Sequence, residues 1–351
     1  MPRERAAAFA PGRVNVIGEH TDYNQGLALP FAIAEGVGVR AEADRERPET
    51  VRVQARDLGE HDEFPLREPG PARGWRAFVR GMVAELDGAG YPLVGARVRI
   101  EGELARGSGL SSSAALEVAL CLALVALGGG AVPGAAETRD RLELARLCAR
   151  VENEWVGART GLLDQLASLC GEREHALCID FRALSVTPIA LQLGEWRFAV
   201  LDSGERHAHA SSGYNERRAE CARACELLGV GSLREADAGA VAGLPEPLGR
   251  RARHVLGENR RVREAVAAIA AGELGALGAL LNRSHASLRD DYEVSTPAVE
   301  RAVARLRQAG AAGARVVGGG FGGIVLGLFA PATPLPAGAH EVRPSAGARL
   351  L

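Results

Sequence analysis

The stretch from residue 12 to residue 23 concentrates side chains that can do chemistry. It places a guanidinium, an amide, two carboxylates and an imidazole within ten residues, at Arg13, Asn15, Glu19, Asp22 and His20. A short apolar run beside glycines predicts a strand that leads into a polar loop. Carboxylates accept strong charge-assisted hydrogen bonds from hydroxyl groups, so the loop suits a polyhydroxylated ligand. A solvated surface loop is the alternative for any one of these residues alone.

A glycine- and serine-rich segment, residues 107–113, lies between a predicted strand and a predicted apolar helix. Glycine lets the backbone approach a ligand closely, and serine favours the start of a helix. The free amides of the first helical turn, with the helix dipole, form a site for an anion such as a triphosphate. A capped helix without a ligand is the alternative.

A carboxylate lies on the apolar face of a helix that is predicted over residues 137–155. At about 100° per residue, the apolar arc around Leu144 extends as far as Trp155 and Val156, and Glu152 falls inside it. An unpaired buried carboxylate costs several kcal/mol, so such a group is paired or binds a metal. Two interpretations stay open: an ion pair with an arginine, or a ligand for Mg²⁺, a hard cation that takes carboxylates and phosphate oxygens.

Hydrophobic patterns predict the elements that position these groups. Strands are expected within residues 27–60 and near 96–101, 186–192, 197–202 and 324–329. Helices are expected at residues 74–87, up to 127, after 161, and then at about 213–228, 247–271, 273–289 and 297–309. A chain of 351 residues is longer than one typical domain, and we expect two, residues 1–190 and 191–351.

The composition excludes several classes of function. The 42 basic residues are all arginine, and with 44 acidic residues the net charge is −2. The absence of lysine rules out a Schiff-base lysine and the lysine-dependent phosphate loops. Dispersed basic residues argue against a nucleic-acid partner, and the longest apolar run is too short to cross a membrane. Six cysteines without metal-ligand spacing, and no signal peptide, lead us to expect a cytoplasmic protein.

Four segments of the chain together resemble the galactokinases, sugar 1-kinases of the GHMP kinase superfamily. Residues 12–23 match the galactokinase signature without a gap, and residues 107–115 are similar to the phosphate loop of the superfamily. Residues 161–169 resemble the segment that carries the catalytic aspartate. Residues 313–323 resemble the third superfamily motif, except that Val317 replaces a usual Thr and Ile324 a usual Cys, changes that we interpret as packing differences.

The resemblance implies roles for individual residues. Asp164 is the expected catalytic base, and Arg13 is expected beside it, keeping it ionised and offsetting charge on the phosphoryl group. The expected sugar contacts are Glu19, His20, Thr21, Asp22, Gly161 and Tyr214. The expected ATP contacts are Gly107, Ser108, Gly109, Leu110, Ser111, Ser112 and Ser113. The expected Mg²⁺ ligands are Ser113 and Glu152.

The resemblance also implies an α+β, two-domain GHMP kinase fold, with an N-terminal domain like ribosomal protein S5 domain 2 and the active site in the interdomain cleft. The implied reaction converts ATP and α-D-galactose into ADP and galactose 1-phosphate, the first step of galactose catabolism. Galactose and ATP are the expected partners, and the chain is expected to be a monomer or a weak homo-oligomer. The alternatives are a kinase for N-acetylgalactosamine or arabinose, and a sugar- and ATP-binding sensor without turnover. A mevalonate- or homoserine-type kinase would lack the signature at residues 12–23.

Overall fold

A twisted six-stranded sheet organises the first part of the chain. The computed structural model describes residues 1–102, 109–134, 137–206 and 210–351. The strand order in this sheet is β13-β1-β3-β6-β4-β5, antiparallel throughout except for the parallel pair β4 and β6. The strands are β1 (Arg5–Asn15), β3 (Pro30–Ala43), β4 (Thr50–Ala55), β5 (Glu60–Pro65), β6 (Ala96–Gly102) and β13 (Arg349–Leu350).

In its described ranges, this part of the chain has four α-helices: α1 (Trp75–Gly88), α2 (Ser112–Leu127), α3 (Thr138–Arg150) and α4 (Leu163–Cys170). Helix α2 packs directly on β1 and β3, and the other three surround it. Almost every side chain of α2 is apolar and buried, as expected for a helix enclosed on all sides. Apart from Ser112 and Ser113 at its start, the polar side chain in α2 is Glu117, which is fully buried among the apolar ones.

The part of the chain that the structure describes also contains two smaller sheets. One has the antiparallel order β2-β7-β8, from β2 (Leu27–Ala28), β7 (His175–Asp180) and β8 (Ser185–Ala190). The other has the order β10-β11-β9-β12, from β9 (Arg197–Arg206), β10 (Ala311–Val316), β11 (Gly322–Phe329) and β12 (His340–Val342). Strand β2 follows the polar loop, so the first small sheet fixes the end of that loop.

Among the described residues after β9 there are five α-helices: α5 (Ala210–Leu228), α6 (Ala238–Ala242), α7 (Leu248–Ala270), α8 (Leu274–Asp290) and α9 (Pro297–Gln308). Helices α8 and α9 pack on the last sheet, α7 packs on α8, and α5 packs on α7. Helix α9 begins with a capped turn, because the Thr296 hydroxyl accepts from the Val299 N–H at 3.3 Å. None of the helices in the described ranges is long and apolar enough to cross a membrane.

Candidate active site

The polar loop after β1 folds around its own backbone. Gly18 has a φ of +103°, and a Cβ there would lie 2.6 Å from the Ala28 Cα, so the position requires glycine. Thr21 is fully buried, and its hydroxyl lies 2.9 Å from the Gly18 carbonyl and 2.8 Å from the Leu27 carbonyl. A hydroxyl has one proton to donate, and both neighbours can only accept. The structure therefore places Thr21 beneath the loop, with its hydroxyl engaged by backbone.

Helix α7 holds the same loop from the opposite side. The fully buried Glu258 accepts a hydrogen bond from the Gly18 N–H at 2.9 Å, and Asn259 accepts one from the Leu27 N–H at 2.7 Å. Burial opposes charge on Glu258, but Arg261, whose Nε lies 2.6 Å away, lowers the pKa of Glu258 to about 2. An ionised carboxylate inside the protein thus fixes the backbone at the start of the loop.

Glu19 lies at the base of the loop, 4% exposed. Its Oε1 accepts from the Gly318 N–H at 2.8 Å and lies 3.0 Å from Nη2 of the fully buried Arg315. Burial raises the pKa of Glu19, and the charges of Arg315 and Arg13 oppose that rise. This ion pair connects the polar loop to the glycine-rich turn at residues 318–323.

His20 lies beside Glu19 and is fully hydrogen bonded to the protein. Its Nε2 lies 3.3 Å from the Gly319 carbonyl, which can only accept, so Nε2 carries the proton and Nδ1 accepts from the Tyr23 hydroxyl at 2.8 Å. Burial, assisted by the nearby His254, lowers the pKa of His20 to about 3. The imidazole is therefore neutral at physiological pH.

A cluster of aromatic rings surrounds His20. The ring of Tyr214, on α5, lies 5.2 Å from the His20 ring and 5.5 Å from the Tyr23 ring. The Tyr23 hydroxyl lies 2.9 Å from the Tyr292 hydroxyl, which lies 3.0 Å from Cys221 Sγ. Tyr214 is therefore next to the polar loop, and its contact with the sugar stays a prediction.

Asp22 and Gly161 face one another across a narrow gap. A Cβ at residue 161 would lie 3.0 Å from the Asp22 Cβ and would overlap the carboxyl group itself. Burial raises the pKa of Asp22 to about 6, and the negative charges of Asp164 and Glu19 act in the same direction, against a hydrogen bond from the Tyr23 N–H. Asp22 is ionised at pH 7 and takes up a proton in moderately acidic solution.

Asp164 lies in the first turn of α4, and Arg13 holds it, as we expected. The Arg13 Nη2 lies 2.9 Å from Asp164 Oδ2 and 2.8 Å from Oδ1. The Arg13 Nη1 donates to the Gly109 carbonyl at 2.7 Å, and the Ser111 hydroxyl donates to Asp164 Oδ2 at 2.5 Å. The Arg13 side chain is 6% exposed and that of Asp164 28%, so the carboxylate is open to the cleft while its partner is fixed.

The described part of the glycine- and serine-rich segment lies against this ion pair. Gly109 and Ser111 have positive φ, +83° and 62°, and α2 begins with Ser112 and Ser113. The buried Leu110 accepts from the Arg13 N–H at 3.1 Å through its carbonyl. The predicted ATP contacts Gly107 and Ser108 lie outside the described residues. The amide-rich start of α2 thus faces the same cleft as Asp164.

Glu152 is buried at 6% exposure, as its place in the apolar arc predicts. It accepts from the Thr160 hydroxyl at 2.7 Å and from the Gln165 amide at 3.0 Å. Burial raises the pKa of Glu152, and hydrogen bonds from these groups and from the Ser113 hydroxyl oppose the rise. Ser113 and Glu152, the two expected Mg²⁺ ligands, are therefore neighbours. Within the described ranges, Glu152 is hydrogen bonded by the neutral groups of Thr160, Gln165 and Ser113, so the arginine ion pair is not what the structure shows.

The helix that carries Glu152 ends earlier than predicted. α3 stops at Arg150, and one π-helical turn, Val151–Val156, continues it. The wider turn rotates the last side chains away from the 100° spacing, so Val156, predicted on the apolar face, is 38% exposed. Single π turns occur frequently at functional sites.

Two polar residues beside Glu152 were not singled out from the sequence. The Gln165 Nε2 lies 3.0 Å from Glu117 Oε2 and 3.0 Å from Glu152 Oε2, so one amide bridges both carboxyl groups. Burial and the charge of Glu152 raise the pKa of Glu117 well above its usual value. The signal for Glu117 was the same as for Glu152, an acidic residue within an apolar helix.

The third glycine-rich segment lies against Arg13, because a Cβ at Gly318 would be 3.7 Å from the Arg13 Nη2. The Val317 N–H donates to the Ile324 carbonyl at 3.0 Å, and both side chains are 2% exposed in the core. Both side chains therefore pack in the core, and the interpretation of the two replacements as packing differences stays a prediction. Among the described residues, no group of three or more His, Cys, Asp or Glu side chains is arranged to hold a metal ion.

The arrangement combines three chemical capacities in one cleft. A helix start can bind phosphate, an arginine-bound aspartate can receive a proton, and a loop rich in carboxylates and aromatic rings can bind hydroxyl groups. A chain that brings these together is suited to transferring a phosphoryl group to a hydroxyl.

Three family descriptions match successive parts of the chain. The galactokinase galactose-binding signature matches residues 2–41. The GHMP kinase N-terminal domain matches residues 77–172, and the GHMP kinase C-terminal description matches residues 265–348.

Galactokinases from several bacteria match most of the chain. A galactokinase from Mycobacterium tuberculosis is 45% identical over 327 residues, 91% of this chain and 87% of the relative. One from Streptomyces coelicolor is 40% identical over 370 residues, 97% of this chain and 93% of the relative. The crystal structure of Lactococcus lactis galactokinase complexed with galactose has a TM-score of 0.90 and 34% identity, covering 99% of this chain and 96% of that chain. Methanococcus jannaschii mevalonate kinase, at a TM-score of 0.69 and 17% identity, shares the fold.

These matches confirm the two-domain GHMP kinase fold expected from the sequence. Together with the polar loop, the start of α2 and the paired Asp164, they show that the chain belongs to the galactokinase family.

Proposed function

We propose that this protein transfers the γ-phosphoryl group of ATP to the 1-hydroxyl of α-D-galactose, giving galactose 1-phosphate and ADP. The observation that carries the proposal is the position of Asp164. It lies between the start of α2 on one side and Asp22 and Tyr214 on the other, and it is held by Arg13. The galactose in the Lactococcus lactis relative supports the same sugar here.

The sugar is proposed to bind among Glu19, His20, Asp22, Gly161 and Tyr214. Asp22 accepts hydrogen bonds from sugar hydroxyls, and the Tyr214 ring provides an apolar wall. Glu19 and His20 are more deeply buried than Asp22. They therefore form the floor of the sugar subsite, and the sugar contacts them from above. Thr21, also expected as a contact, acts through the loop backbone to which it donates.

In the proposed reaction, Asp164 accepts the proton of the 1-hydroxyl as its oxygen bonds to the γ-phosphorus. The bond from that phosphorus to the bridging oxygen of ADP breaks, and Arg13 offsets the charge that spreads over the transferred group. The amides at the start of α2 and residues 107–113 bind the phosphates.

The residues at the start of α2 and in the π turn fit Mg²⁺. Ser113 and Glu152 offer one hydroxyl and one buried carboxylate that carries no arginine partner in the described ranges, which suits a cation that binds few protein ligands and keeps phosphate oxygens and water. When bound, Mg²⁺ neutralises charge on the ATP phosphates.

We further propose the division at residues 190/191 into an N-terminal and a C-terminal domain, with the last strand returning to the first sheet. A cytoplasmic location, where ATP is available and the six unpaired cysteines stay reduced, suits this activity. A monomer or weak homo-oligomer stays our prediction.

The test is ADP release with ATP and Mg²⁺ and one sugar at a time: galactose, N-acetylgalactosamine, arabinose and glucose. Galactose-dependent release above that of the other sugars is expected. Faster release with N-acetylgalactosamine or arabinose would keep the chemistry and change the substrate. Galactose binding without ADP release would identify a sensor and contradict the proposal.

A further inference from the structure

Two adjacent arginines on α5 point in different directions. Arg217, 8% exposed, donates from Nε to the Tyr292 carbonyl at 2.7 Å and pairs with Glu220 at 3.2 Å. Arg217 therefore fastens α5 to the segment after α8, which contains Tyr292. Arg218 makes no use of these partners.

Arg218 instead reaches the segment just before α4. Its Nη1 donates to the Arg159 carbonyl at 2.6 Å and lies 3.4 Å from the Thr160 carbonyl. Its guanidinium lies 5.7 Å from the Tyr23 ring centroid, within the range of a cation–π contact. Arg218 thus connects α5 to both the segment before Gly161 and the polar loop.

The two carbonyls that Arg218 holds immediately precede Gly161. Gly161 packs on the Asp22 carboxyl group so closely that even a methyl group would overlap it. The width of this gap is therefore set by where residues 159–161 lie, and Arg218 ties them to α5, the helix that also carries Tyr214.

Arg218 also brings a positive charge to Asp22. The charged and titratable groups that face Asp22 are Asp164 from α4, Glu19 from the same loop, and Tyr214 and Arg218 from α5. The two carboxylates disfavour the ionised form of Asp22, and Arg218 favours it. The guanidinium thus acts on Asp22 by charge as well as through the segment that it holds.

We propose that Arg218 is a positioning residue of the sugar subsite, which holds Gly161 against Asp22 and keeps the Asp22 carboxylate available to sugar hydroxyls. This inference rests on the proposed function. It differs from a simple tether of α5, because a tether would leave the ionisation of Asp22 unchanged.

The test compares Arg218→Met and Arg218→Lys with wild type, and uses Arg223→Met as the matched control. Arg223 lies on the same helix with its side chain 63% exposed, paired with Glu226 at 2.8 Å. Steady-state rates are measured against galactose at saturating MgATP over a pH range around 6, and against ATP at saturating galactose. Calorimetric galactose binding and thermal unfolding are measured alongside.

Loss of a charge-assisted hydrogen bond in Arg218→Met is expected to raise KM for galactose about tenfold or more. KM for ATP should change by less than about twofold, because the contacts of Arg218 are with residues 159–160 and Tyr23, beside the proposed sugar subsite and not at the start of α2. The acid limb of kcat/KM for galactose should move to higher pH. Arg218→Lys keeps the charge but loses the planar fork, so its KM should rise while its acid limb stays near that of wild type.

An acid limb of Arg218→Met that coincides with wild type would overturn the proposal, even if KM rises. Equal galactose affinity in wild type and both variants would overturn it as well. If Arg218→Met does not fold, Arg218→Lys still decides, because an unchanged KM there refutes the positioning role. Absence of galactose turnover in wild type and in Arg223→Met would instead refute the proposed function. The control variant and calorimetric galactose binding thus separate a failure of the proposed function from a failure of the role given to Arg218.

Discussion

Substitution of Gly161 by alanine should disable the sugar subsite without unfolding the protein. Gly161 has an ordinary backbone conformation, since its φ is not in the left-handed region, so alanine introduces no backbone strain. The added Cβ would lie 3.0 Å from the Asp22 Cβ and inside the carboxyl group. Carbon atoms in contact prefer about 3.5 Å or more, so the Asp22 carboxylate or residues 159–161 must move by about 1 Å.

A displacement of about 1 Å at a reacting site costs on the order of 100-fold in rate, or about 2.7 kcal/mol of transition-state stabilisation. We therefore expect kcat/KM for galactose in Gly161→Ala to fall about 100-fold, measured by coupled ADP release. KM for ATP should stay within about twofold, because the phosphate-binding side is untouched.

Gly275→Ala is the matched control, because nothing lies within 4 Å of a Cβ at that position on α8. It should keep full activity and unfold at the same temperature or slightly higher. The reasoning would be refuted if Gly161→Ala folded and phosphorylated galactose as wild type does, since the close approach to Asp22 would then have no role.

Three further outcomes follow from the buried carboxylates. Burial raises the pKa of Asp22 to about 6, so kcat/KM for galactose should fall about tenfold per pH unit below that value. Asp22→Asn should lose this acid limb. An unchanged acid limb in the variant would assign it to another group. The pKa of Glu258 is lowered to about 2 from 4.5, so its charge stabilises the fold above pH 4.5 and that contribution disappears as pH falls toward 2. Glu258→Gln should thus cost about 3 kcal/mol in urea unfolding at neutral pH, with a gap that narrows in acid, and a gap independent of pH would contradict the assignment. Glu152→Gln should lower turnover and weaken the dependence on Mg²⁺ while leaving calorimetric galactose affinity nearly intact; identical Mg²⁺ titration curves would make Glu152 purely structural.

Local patterns predicted most helices and strands well. The helix expected at residues 247–271 spans Leu248–Ala270, and the one expected at 297–309 spans Pro297–Gln308. Strand β7, His175–Asp180, is not predicted, because its pattern is short and only four residues separate it from α4. The helix predicted over residues 137–155 extends beyond the end of α3 at Arg150, because hydrophobic periodicity does not reveal a single π turn.

The site was predictable where one residue carries its own signal. Glu152 among apolar neighbours predicted burial, and the resemblance placed Arg13 beside Asp164. The partners that hold the sugar loop were not predictable. Glu258 lies 240 residues from Gly18, and Arg315 lies far along the chain from Glu19, so no local pattern connects them.

Polar residues of one short motif also divide between ligand-facing and structural positions. Asp22 is half-buried, whereas the buried Thr21 hydroxyl lies against the backbone carbonyls of Gly18 and Leu27. The two residues are adjacent and both are polar, so the sequence does not distinguish their roles, and only the folded structure does.

The central claim is that Asp164 serves the transfer of phosphate to the 1-hydroxyl of galactose. The most direct measurement is ³¹P NMR of the products formed from ATP, Mg²⁺ and galactose by wild type and by Asp164→Asn at equal concentration. The account predicts a sugar 1-phosphate signal, coupled to the anomeric proton, that accumulates with wild type and is lost or at least about 100-fold slower with the variant. The same product at the wild-type rate from Asp164→Asn, or a phosphate on another hydroxyl, would contradict it.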